Sequence, residues 1–68
     1  MEYTLTFSAD QLDDLVGTAN LLLRHGKLYN LADNARIGQM ILAKIKALDG
    51  PGHERIRAIE AEYGEVDA

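Results

Sequence analysis

Among its 68 residues the chain has no cysteine and no tryptophan, and only one serine, one proline and one phenylalanine. The missing cysteine excludes a disulfide, a thiolate-held zinc and a thiol nucleophile. The single serine, Ser8, stands at a helix start where its hydroxyl is engaged in capping. His25 and His53 fall in separate elements and neither has a neighbour at ligand spacing. Gly50-Pro51-Gly52 lacks the G-x-x-x-x-G-K pattern of a phosphate cradle. No catalytic residue, metal ligand or cofactor is therefore expected, and the chain reads as a binding protein rather than an enzyme.

Long apolar runs are also missing: none approaches the roughly 20 residues of a membrane span. The opening MEYTLTF carries an early glutamate and no basic leader, so no signal peptide is expected and the protein is placed in a cytoplasm. What is present is an apolar fraction of 47%, ordinary for a globular protein. One core in a domain under about 70–80 residues supplies only about 3–5 kcal/mol, and a staple is often needed. With disulfides and thiolate metal sites excluded, self-association is the staple left.

The net charge of −4 argues against nucleic acid as the main partner. Its distribution is acidic, basic, acidic. Glu2, Asp10, Asp13 and Asp14 come first; Arg24, Lys27, Arg36, Lys44 and Lys46 follow against Asp33; six acids then face Arg55 and Arg57. Such an order favours pairing within the fold or between copies.

Residues 2–7 alternate strictly, with Tyr3, Leu5 and Phe7 on one side and Glu2, Thr4 and Thr6 on the other. Period two predicts a half-buried β-strand. No second strand follows, so its backbone groups require another copy or another protein. Ser8-Ala9-Asp10-Gln11 is a capping box, with Phe7 and Leu12 as its hydrophobic staple. Leu12, Leu15, Val16, Ala19, Leu22 and Leu23 then recur at helical spacing, predicting a helix over 9–25 closed by Gly26 in the left-handed position. A second helix, capped by Asn30 or Asp33, buries Ile37, Ile41, Ile45 and Leu48. On its apolar face Gly38 offers a flat spot, and Asn34 is a polar residue able to fix an oligomer's register or to bond nearby backbone. Asp49-Gly50-Pro51-Gly52 breaks the chain. Ile56, Ile59 and Tyr63 mark a short helix over 53–63 that either packs on the other two or is an arm ordering on a partner.

The expected fold is mainly α. An N-terminal β-strand precedes two antiparallel helices in a core over 1–49, and 50–68 form a Gly/Pro break followed by a short acidic helix or arm. The chain is expected to be dimeric through strand pairing. Tyr3, Leu5, Phe7, Asn34 and Gly38 are the candidate oligomer interface; Arg24, Lys27, Arg36, Ile56, Ile59 and Tyr63 are the candidate partner-binding residues.

The strand-then-two-helices order of residues 2–48 resembles the ribbon–helix–helix family. There two strands pair across a dimer and enter the DNA major groove, and many members are antitoxins whose C-terminal arm wraps a toxin. The outward residues here are Glu2, Thr4 and Thr6, where that family usually carries base-reading side chains. The stretch from Leu5 to Leu15, an apolar segment followed by S-x-x-[EQ]-L-x-x-L, resembles small accessory proteins encoded by phages and prophages. That resemblance implies a chain that binds and inhibits a host protein or defence system in the host cytoplasm. Three readings stand: a self-associating protein-binding accessory or inhibitor; a ribbon–helix–helix regulator or antitoxin; and an oligomer that sequesters a small ligand such as a nucleotide between subunits, through Arg24, Lys27 and Arg36.

Overall fold

The structure, a computed structural model, describes residues 1–48, 50 and 52–66. Asp49 and Pro51, half of the expected Gly/Pro break, lie outside the described residues, as do Asp67 and Ala68. The described residues form three helices and no β-strand: α1 (Ala9–Leu28), α2 (Ala32–Lys46) and α3 (His53–Tyr63).

The capping box at the start of α1 forms as expected. Gln11 N–H donates to the Ser8 hydroxyl at 3.2 Å, and Ser8 N–H donates to Gln11 Oε1 at 2.9 Å. The far end differs. Helix α1 runs three residues past the expected stop, and the left-handed position falls on Asn30, φ 56°, rather than on Gly26. Leu31 N–H then donates to Gly26 O at 2.8 Å, which closes a Schellman motif. Asn tolerates the left-handed region better than other side-chain-bearing residues. Because Asn30 is spent on this turn, neither it nor Asp33 caps α2; the N-cap is Leu31, with no side-chain hydrogen bond.

Gly26 serves packing instead. A Cβ there would lie 2.7 Å from Ala35 N and 2.8 Å from Ala35 Cβ. A Cβ on Gly38 would lie 2.8 Å from Ala19 O. The two contacts run in opposite order along the two helices, so α1 and α2 are antiparallel and cross with their backbones close together. The flat spot at Gly38 is thus filled by α1 of the same chain, which removes Gly38 from the candidate oligomer interface.

This close crossing also turns α2. Its buried residues are Gly38, Leu42 and Ile45, with Ala35 packed against the core. Of the expected stripe only Ile45 is buried: Ile41 is half-buried, and Ile37 and Leu48 are exposed. Helix α3 lies over Val16, Ala19 and Leu23 of α1 and Leu42 and Ile45 of α2, and adds Ile56, Ile59 and, past its end, Val66. Arg55 ties it to α1, its Nη1 donating to Asp13 Oδ1 at 2.6 Å and to Asp13 O at 3.0 Å. Extents of 31 × 30 × 20 Å make a slab two helices thick, each helix being about 10–12 Å across.

The expected strand over residues 2–7 is absent, and with it the strand-paired dimer. Alternation requires only an apolar surface for one side of an extended segment to follow. Phe7 leans on α1 and α2, while Tyr3 and Leu5, at the rim of the same groove, stay largely exposed. The ribbon that would enter a DNA groove is therefore not among the described elements.

Candidate functional site

Helix α3 covers one side of the α1–α2 hairpin. The other side is bare. A groove of about 500 Å³ lies there, with Leu12 and Leu15 of α1 on one wall, Met40, Ile41 and Ile45 of α2 on the other, and Leu48 at its end. Tyr3, Leu5 and Phe7 run along its rim, and Lys44 is its one charged side chain. Among the described residues nothing in the chain pairs with Lys44. Groove and capping are linked through the sequence: Phe7 and Leu12, the two staple residues flanking the Ser8 cap, sit on this face together.

Large apolar side chains are exposed elsewhere too, Leu28 and Tyr29 among them, but here they gather around one groove. Tyr3 is 84% exposed, Leu5 76%, Met40 50% and Leu48 49%, and Phe7 and, beside the groove, Ile37 are exposed as well. An aromatic side chain presents roughly 150–250 Å² and an aliphatic one somewhat less, so these six expose roughly 450–750 Å². The largest apolar patch of a typical monomer is about 300–600 Å² and is often functional. The face lies in the upper part of that range or beyond it, on a chain whose whole accessible surface is 5164 Å².

The expected site residues divide three ways. Tyr3, Leu5 and Phe7 lie on the groove. Asn34 is half-buried near the start of α2. Ile56 and Ile59 are core residues, 1% and 6% exposed, so they cannot form a partner-binding surface; the acidic segment is not an arm awaiting a partner but the cover of the hairpin's other side. Tyr63 is half-buried and engaged with Lys27, whose Nζ lies 5.6 Å from the ring centroid and donates to Tyr63 O at 3.5 Å. Arg36 leans on Asp33 at 3.8 Å, and Arg24 is exposed. None of Arg24, Lys27 and Arg36 lines the groove.

Met40, Lys44, Leu12 and Leu15 belong to the site but were not among the expected residues. The signal for Met40 and Lys44 was the width of the apolar arc on α2: Ile37, Met40, Ile41, Ile45 and Leu48 span more of the helix than one neighbour can cover. Among the described residues no group of three or more His, Asp or Glu is placed to hold a metal ion, and no helix is long and apolar enough to cross a membrane. Compared with protein-family models, with curated proteins and with solved structures, the chain matches none of them.

Proposed function

We propose that this chain is a small protein-binding accessory protein whose docking surface is the uncovered side of the α1–α2 hairpin together with the segment of Tyr3, Leu5 and Phe7. The observation that carries this reading is the apolar face itself: five large exposed side chains line a groove with one cation, and Ile37 adds a sixth farther along α2. Leaving such a surface in water forgoes about 25 cal/mol for each Å² that a partner would remove from it. Polypeptide suits the face because it is broad and shallow in shape, and a single Lys44 gives an opposing surface an anchor of defined charge. The inhibitor role implied by the resemblance of Leu5–Leu15 to phage accessory proteins is one form of the same act, occupation of another protein's surface.

A photo-crosslinking residue in place of Met40 tests this, with the same residue in place of Glu62 on α3 as control. The Met40 position is expected to give a covalent adduct with protein, either a second copy or another chain, and the Glu62 position none. A partner identified this way should re-form a stoichiometric complex with the purified chain and lose it on Met40→Glu. No adduct of either kind from Met40 would end the proposal.

A further inference from the structure

The outer stripe of α2 has a symmetry that selects its partner. Asp33, Ile37, Met40 and Lys44 follow one another at spacings of four, three and four, so they share one side of the helix. Asp33 and Lys44 are equidistant from the Gly38–Gln39 bond, and so are Ile37 and Met40. Laid antiparallel against a copy of itself about that midpoint, the stripe puts Ile37 opposite Met40 and Lys44 opposite Asp33, twice each. The acid and the base are both available: Lys44 is exposed, and the Asp33 side chain is 89% exposed and, among the described residues, paired with Arg36 alone at 3.8 Å.

We infer that the protein docked on this face is a second copy of the chain, with the two α2 helices antiparallel about a two-fold axis near Gly38–Gln39. This rests on the reading that the face binds protein at all. Three further observations favour a copy over an unrelated chain. A two-fold interface must be self-complementary, and a stripe with acid at one end, base at the other and apolar residues between is complementary to its own reverse. Burying roughly 450–750 Å² from each copy gives a total that reaches the lower part of the about 1,200–2,000 Å² of a stable interface. Finally, the core of the three helices is a single small cluster with no cysteine to crosslink it, and association adds burial to it. This dimer uses helix faces; the N-terminal segment contributes side chains and no paired strand. The apolar residues hold it, and the exposed Lys44–Asp33 pairs set the orientation, since rim charges give specificity more than affinity.

The test is sedimentation equilibrium of the full chain from roughly 1 to 500 µM, where an interface of this size associates. The mass is expected to rise to that of a dimer. Met40→Glu should abolish the rise with helical circular dichroism unchanged, because Met40 is on the surface. Asp33→Lys and Lys44→Asp should each weaken association by about tenfold, and the double exchange should restore it, the signature of a direct pair. A chain monomeric throughout overturns the inference; if the Met40 crosslink still captures another protein, the proposed function stands, and if it captures nothing, both fall. A dimer that survives Met40→Glu, or a double exchange that restores nothing, also overturns the inferred arrangement.

Discussion

Lys46 Nζ lies 2.7 Å from Glu60 Oε2, and the same carboxylate oxygen accepts the Val66 amide at 2.8 Å. Lys46 also donates to Val66 O at 3.2 Å. One ion pair thus joins α2 to α3 and folds the chain after Gly64 back over the core, where Val66 is 2% exposed. The side chains are largely withdrawn from water, 30% exposed for Lys46 and 15% for Glu60, so the pair is better protected than an ordinary surface bridge.

The pair gives the fold an acid limit. The Lys46 hydrogen bond, then the Val66 amide, hold the Glu60 carboxyl below its ordinary value of 4.5, against the opposing effect of burial. A carboxyl lowered in the folded state binds its proton more readily in the unfolded chain. Its stabilisation is present above the unfolded value and is lost as pH falls through the folded one. Melting temperatures measured from pH 7 downward should fall below about pH 4.5, and the fall should be shallower in Glu60→Gln, which starts lower at pH 7. Equal slopes in the two proteins would mean that Glu60 does not carry this effect.

The helix crossing is tested by Gly38→Ala. Mid-helix, alanine is favoured over glycine by about 1 kcal/mol. Here its methyl would meet the Ala19 carbonyl at 2.8 Å, a backbone atom that cannot swing aside. Overpacking costs about 1–3 kcal/mol, so the net change is expected to be a destabilisation of about 1 kcal/mol, read by urea denaturation. A stabilised Gly38→Ala would show that the helices do not cross so closely.

The orientation of α2 buries a leucine outside the expected stripe and exposes one within it. Leu42 is fully buried and Leu48 is 49% exposed. Leu42→Ala should cost about 2–5 kcal/mol as a buried large-to-small change. Leu48→Ala should stay within about 1 kcal/mol in the dissociated chain. Comparable losses at the two positions in equilibrium unfolding would place the core on the stripe Ile37–Leu48 instead.

That stripe marks where the sequence was readable and where it was not. Signals within a few residues of each other were legible: the Ser8–Gln11 box, the antiparallel hairpin, and the bounds of α3 at His53 and Tyr63. Helix α2 presents an apolar arc too wide to face one way, and periodicity alone cannot say which part turns inward. The choice was made by Gly26 and Gly38, whose missing side chains matter only once α1 and α2 are side by side. Gly26 was misread for the same reason, as a helix stop, although its hydrogen atom faces Ala35 and the turn is made by Asn30. The groove could not be read at all from single elements. Its parts come from three separate stretches of chain, around Leu5, Leu15 and Met40–Leu48, and Lys44 gains meaning only from their company.

Residues 2–7 give the sharpest contrast between a strand and what the chain forms. A paired strand would lose a ladder hydrogen bond on Leu5→Pro. The segment as it stands makes no backbone ladder among the described residues, and proline favours extended backbone. Leu5→Pro is therefore expected to leave the helix content unchanged and the melting temperature of dilute protein within about 2–3 °C, the shift that roughly 0.5 kcal/mol produces in a domain this size. Leu5→Asp, which keeps the backbone and removes the apolar side chain, should instead weaken whatever associates at the groove. If proline abolishes association while aspartate spares it, the segment acts through its backbone after all, and the side-chain account of the groove rim fails.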